Sequence, residues 1–144
     1  MLSIDTNILL FAQNADCPEH VDARSFVLDT GRRDDAVICE LVLVELYLLL
    51  RNPVVVNRPL SAASAVAVCT GYRQNPRWRV VENATVMERV WGQASTAGFA
   101  RRRIIDARLA FTLQHHGVTE FATANMKDFE GLGFARVWNP LVAG

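Results

Sequence analysis

The sequence predicts a three-layer α/β/α sandwich around a mostly parallel central sheet, on three observations. Short apolar runs rich in Val and Ile alternate with longer segments whose apolar residues recur at helical spacing. Residues that cap helices or force turns stand at the joints between them. No stretch has the composition of a linker and no segment repeats, so residues 1–144 read as one domain, long enough to bury most of its chain surface.

"LSI" at residues 2–4 is a short buried strand, and Thr6 to about Gln13 a helix behind it. "CPEHVDARSFVLDTG" is a longer helix, with Pro18 in its first turn, Val21 and Leu28 on its apolar face, and Gly31 as its stop. "DAVICE" is a second strand. "ELVLVELYLLLR" follows as a helix apolar nearly all round and therefore buried, halted at Asn52-Pro53. "SAASAVAVCTGYR" is a small-residue helix capped by Ser61. "RWRVVE" is a third strand, after which Asn83 caps a helix through "ATVMERVWGQAS". "IIDARLAFTLQHHG" is helical, its Ile105, Leu109 and Leu113 four residues apart and Gly117 its terminator. "EFATAN" is a fourth strand, "MKDFEGLG" a loop, and "ARVW" a fifth strand ahead of Asn139-Pro140.

Bulk composition excludes several classes of protein. Hydrophobic residues make up 51% and charged ones 21%, which is globular. No apolar run is long enough to span a membrane and no secretory leader is visible, so a cytoplasmic protein is expected. Cys17, Cys39 and Cys69 are odd in number and form no C-x-x-C pair, which suits reduced, buried thiols better than zinc or disulfides. His115 and His116 suit the last turn of a helix, where positive charge is favoured, and do not form a metal motif. Net charge is zero, yet residues 1–50 carry nine acids against three arginines, and residues 51–108 carry ten arginines against three acids. Arginine outnumbers lysine fourteen to one, a preference that suits phosphate recognition.

Four carboxylates fall where an open parallel sheet binds its ligands, near the carboxyl ends of strands. Asp5 directly follows the first strand, and Asp128 lies in the loop after the fourth. Asp106 opens the helix leading into that strand, and Glu45 sits inside the most apolar helix. Taken singly, Asp5 and Asp106 suit helix caps and Asp128 a turn. Glu45 does not fit so easily, because a carboxylate in "LVLVELYLLL" has no exposed face and needs a cation. An oxygen-only ligand set favours Mg²⁺, or Mn²⁺ as its substitute, over zinc. Acidic clusters of this kind hold one or two metals for attack on a phosphodiester.

"IDTNILL", "LVLVELYLLL", "IIDARLA" and "TANMKDF", in this order, resemble the PIN-domain family, and within it the VapC-type toxins of bacterial type II toxin–antitoxin pairs. The resemblance runs from Asp5 to about Pro140. It implies a Mg²⁺-dependent ribonuclease that cuts single-stranded or loop RNA, leaving a 5′-phosphate and a 3′-hydroxyl. It makes Asp5 and Asp106 direct metal ligands, with Glu45 completing the triad and Thr6 and Asn7 supporting the Asp5 turn. Glu40 has no counterpart in the family's pattern. Where many relatives carry a fourth acid two residues after the threonine of the fourth strand, Thr123 is followed by Ala124 and Asn125. Asn125 can hold a hydrogen bond or a water but brings no charge, and Asp128 is the other candidate for the role; Glu45 or Asp128 would orient the attacking water.

Other phosphate-handling folds fit less well. A dehalogenase-like phosphatase wants an acid where Asn7 stands, a receiver domain wants an acidic pair that is absent, and no G-x-x-x-x-G-K-[ST] occurs. The competing reading is a catalytically silent PIN-like module that binds RNA or protein; the presence of Asp5, Glu45 and Asp106 together speaks against it. "ARRRIID" puts Arg101, Arg102 and Arg103 just ahead of Asp106 as candidate RNA phosphate contacts. Apolar surface on the "ELVLVELYLLL" and "SAASAVAVC" helices suggests a homodimer. The resemblance adds a small VapB-like antitoxin whose tail blocks the acidic groove.

Overall fold

The computed structural model describes residues 1–142. In chain order the elements are β1 (Leu2–Ile4), α1 (Thr6–Gln13), α2 (His20–Thr30), β2 (Val37–Cys39), α3 (Glu40–Leu50), α4 (Ala62–Arg73), β3 (Arg79–Val81), α5 (Met87–Ala94), α6 (Arg103–His115), β4 (Glu120–Ala122), α7 (Met126–Phe129) and β5 (Arg136–Trp138).

All strand pairings are parallel. β1, β4 and β5 form one ladder and β2 with β3 another. The two meet at Leu2, which bridges to Ala36 and donates its N–H to the Asp35 carbonyl at 3.0 Å. The strands therefore lie side by side in the order β3-β2-β1-β4-β5. Successive crossovers move one way from β1 to β3 and the other way from β4 to β5. The direction reverses between β1 and β4, and a crevice opens at the carboxyl ends of those two strands, the position at which parallel sheets bind ligands. α1, α2, α3 and α4 pack in a chain of neighbours, as do α5, α6 and α7, and these make the two outer layers. The core between them is continuous: Ile4, Ile8, Leu9, Ile38, Leu46, Leu113 and Phe121 are fully buried.

The element order matches the sequence reading, but several faces do not. Val21 and Leu28 of α2 are exposed, at 75% and 54%, and the helix buries Ala23, Val27 and Thr30 instead. That face packs against α1. Gly31 ends that helix with φ −62, a conformation open to any residue, whereas Gly117 after α6 has φ 90 and uses the left-handed freedom expected of a terminator. Asn83 does not cap α5, which starts three residues later than expected, after Val86. Its side-chain Oδ1 accepts from the Cys39 thiol at 3.9 Å, and the Ala84 N–H binds the Thr112 hydroxyl, so tertiary partners hold this stretch out of the helix. Ile105 is 59% exposed while Leu109 and Leu113 are buried. Part of "MKDFEGLG" is the single turn α7, not loop, anchored by buried Phe129, whose ring lies tilted against that of Phe121 with centroids 4.5 Å apart. The three cysteines are free, and only Cys39 is fully buried.

Candidate active site

Asp5 follows β1 directly, and its backbone N–H continues the ladder by donating to the Ala122 carbonyl of β4 at 2.8 Å. The residue is the N-cap of α1, with extended backbone and only 9% exposed. One carboxylate oxygen, Oδ1, accepts from the Thr6 N–H at 2.8 Å; the other, Oδ2, accepts from the Thr123 hydroxyl at 2.7 Å. Thr123, fully buried at the end of β4, has a saturated hydroxyl: it donates to Asp5 and accepts from the Asn125 N–H at 3.0 Å, with the Asn7 amide more distant at 3.5 Å. Asn7 in turn accepts from the Ala124 N–H at 3.3 Å, tying α1 to the loop after β4.

Thr6 extends this network to α3. Its hydroxyl donates to Glu45 Oε2 at 2.9 Å and lies 3.4 Å from the Val42 carbonyl. Residue 6 thus holds both carboxylates, one through its amide and one through its side chain. Glu45 itself is half-buried, because α3 is open along the edge carrying Val44 and Leu48, which are 51% and 61% exposed. The expectation that this helix is buried all round, with a glutamate unable to find a partner except a cation, is corrected on both counts. Glu40, the first residue of α3, pairs with Arg73 of α4 and stands apart from the network.

Asp106 is the fourth residue of α6, whose N-cap is Arg102, so it does not cap the helix. Asp128 lies on α7, exposed, and Asn125 precedes that turn without capping it through its side chain. The four carboxylates nevertheless share one electrostatic neighbourhood. Burial pushes the Asp5 carboxyl up to about 6; Thr123 and Thr6 oppose the shift, and the charges of Glu45 and Asp128 add to it. Burial likewise raises Asp106 to about 6, with Asp128, Asp5 and Glu45 reinforcing it and Arg103 opposing. Among the described residues, no three His, Cys, Asp or Glu side chains converge tightly enough to enclose an ion. The donors these four acids offer are all carboxylate oxygens, a set that suits a hard divalent cation.

The three arginines ahead of Asp106 divide. Arg101 and Arg102 are exposed in the turn before α6. Arg103 reaches across to α7, donating from Nε to the Asp128 carbonyl at 3.2 Å and from Nη2 to the Glu130 carbonyl at 2.6 Å. Two of its nitrogens, Nε and Nη2, are thus bound to the protein.

A model of the PIN domain matches residues 2–134. Ribonuclease VapC24 of Mycobacterium tuberculosis, from two strains, is 58% identical over 143 residues that cover 99% of each chain. Among solved structures, M. tuberculosis VapC20, a sarcin-ricin loop cleaving toxin, has a TM-score of 0.68 at 21% identity, covering 94% of this chain and 97% of that one. FitAcB from Neisseria gonorrhoeae also has a TM-score of 0.68, at 19% identity over 99% of this chain and 100% of that one. FitAB bound to a DNA fragment gives the same TM-score and identity, covering 100% and 98%. At those identities the structures speak for the fold, and they reproduce it over nearly the full length. The family match and the full-length likeness to a ribonuclease decide between nuclease and silent binding module: this chain belongs to the PIN-domain family, as a ribonuclease of the VapC type.

Proposed function

We propose that this ribonuclease hydrolyses single-stranded or loop RNA at the rim where Asp5, Glu45, Asp106 and Asp128 face one another. Mg²⁺, with Mn²⁺ as a substitute, would be held by Asp5 and Asp106, with Glu45 completing the set. The observation that carries the reading is Asp5: a carboxylate 9% exposed, at the point where the strand order reverses, held by the Thr6 N–H and the Thr123 hydroxyl, feeling the charges of Glu45 and Asp128 and itself acting on Asp106. A buried acid surrounded by acids is costly unless a cation belongs there.

When bound, a divalent ion supplies positive charge against the phosphate and acidifies water. The chain's own residues do the remainder. Thr6, on Asp5 and on Glu45, and Thr123, on Asp5, occupy carboxylate lone pairs and so fix the direction of those that remain. Glu45 or Asp128 orients the attacking water and takes its proton. Asn125, whose N–H is fixed by Thr123, offers its amide to a water or to the substrate. Attack by water on phosphorus with departure of the 3′-oxygen, the outcome the family resemblance implies, leaves a 5′-phosphate and a 3′-hydroxyl.

As a VapC-type ribonuclease the chain is the toxin half of a toxin–antitoxin pair. We assign as its partner a small VapB-like antitoxin whose basic segment enters the acidic rim, a pairing favoured by charge. The whole of residues 1–144 acts as one domain, in the cytoplasm where its RNA lies; no helix among the described residues is long and apolar enough to cross a membrane.

The test is RNA cleavage with EDTA, with Mg²⁺ restored, and with Asp106→Asn. Cleavage should vanish with EDTA, return with Mg²⁺, and stay absent in the variant. The variant without metal should melt at or above the parent's temperature, since one like charge is gone. Cleavage by Asp106→Asn at the parental rate would overturn the carboxylate site.

A further inference from the structure

We infer that Arg103 is a positioning residue, which sets Asp128 against Asp106 by clamping the end of α7 to the start of α6. The inference rests on the proposal that Asp128 belongs to the site, and deepens it by naming what holds that carboxylate in place.

α7 is a four-residue turn with no independent stability, and its carbonyls have almost no helix of their own to bind. Three things hold it. At its start, the Asn125 N–H is tied to the Thr123 hydroxyl at 3.0 Å. Beneath it, Phe129 is buried against Phe121. Those two attachments hold the start of the turn and its buried face, whereas Asp128 is exposed. Arg103 holds the backbone on that exposed side. Its planar fork binds the carbonyls of Asp128 and Glu130, two points on either side of Phe129, so that the backbone of Asp128 itself is one of the clamped atoms.

The other end of the clamp is equally specific. Arg103 is the first residue of α6, and Asp106 lies three residues on, close to one turn along the same helix. The residue that carries one carboxylate into the site therefore shares a rigid element with the group that fixes the other. An arginine here works against the helix dipole, and its two carbonyl bonds, with the Phe99 ring 5.9 Å from its guanidinium, offset that cost. A flexible contact to RNA phosphate would leave the fork pointing outward.

The experiment compares Arg103→Met, Arg103→Lys and Asp128→Asn in the full chain, measuring Mg²⁺-dependent cleavage of a long single-stranded RNA at several RNA and salt concentrations. Misplacing a reacting group by about 1 Å costs up to about 100-fold in rate. Arg103→Met should therefore lower kcat on the order of 10- to 100-fold with KM and the salt dependence of binding near parental. Arg103→Lys should be rescued little, because an ammonium keeps the charge but cannot span both carbonyls. Amide hydrogen exchange at Glu130, whose N–H binds the Met126 carbonyl, should speed up in both variants. A raised KM with a shallower salt slope, mostly restored by Lys, would make Arg103 an RNA contact and overturn the inference. Parental kcat in Arg103→Met beside an inactive Asp128→Asn overturns it while leaving Asp128 in the site. Full activity in Asp128→Asn removes Asp128 from the site, and the clamp with it.

Discussion

At the scale of single residues, the site concentrates unfavourable charge. Asp5 and Asp106 are both raised to about 6, from an unfolded value of 3.8, chiefly by burial. The folded protein therefore holds these protons more tightly than the unfolded chain does. The stabilisation they give is complete below pH 3.8 and is lost as pH rises through about 6. For nearly buried Asp5 the loss is on the order of 3 kcal/mol, taken over the whole window. Melting in EDTA should show parent stability falling between pH 4 and pH 7. Asp5→Asn, which carries no proton to lose, should fall less over the same range. Parallel pH profiles for the two would mean that Asp5 ionises freely in the folded state. Mg²⁺ should oppose the fall by binding the ionised form, so its effect on the melting temperature should grow from pH 5 to pH 7.

At the scale of elements, the turn before α6 shows how neighbouring residues of one type take separate roles. Arg103 is committed to α7, whereas Arg101 and Arg102 are exposed beside the rim. If those two carry RNA phosphate, replacing both by Ala should make binding of single-stranded RNA less steep against log salt, by about 0.7 for each phosphate no longer neutralised. Their kcat at saturating RNA should stay near parental, which separates them from Arg103. An unchanged slope in Arg101→Ala/Arg102→Ala would put the RNA path elsewhere. α3 divides in a similar way: Val42, Leu43, Leu46 and Leu50 enter the core, Glu45 reaches Thr6, and Val44 and Leu48 face outward.

At the scale of the whole molecule, that outward face matters. Val44 and Leu48 on α3, Val54 and Val55 in the turn after it, and Val66 on the adjoining α4 all expose large apolar side chains, the kind of surface that marks an interface. We propose that a second copy covers it. Sedimentation at micromolar concentration should give a dimer, and Leu48→Glu should shift it to monomer while leaving the fold intact, because Leu48 is 61% exposed. A parent protein that sediments as a monomer would count against the dimer and leave the nuclease untouched.

The sequence by itself determined the alternation of strands and helices, the parallel sheet, and the acids at the strand ends. Those follow from local periodicity and from the strand-order logic of crossovers, and neither needs distant contacts. Asp5 was legible because a charge between two buried segments has few structural uses. The Thr6 and Asn7 that follow it were legible through the family resemblance. What only the tertiary structure decided is which groups meet. The Thr123 hydroxyl on Asp5 joins residues 118 positions apart, and Arg103 on the Asp128 and Glu130 carbonyls spans 25 and 27. No local pattern encodes such pairings. The same holds for Val21, Leu28 and Ile105, apolar at helical spacing and yet exposed. Periodicity names a face, but the neighbour it packs against chooses which face is buried, and in α2 that is the face of Ala23, Val27 and Thr30.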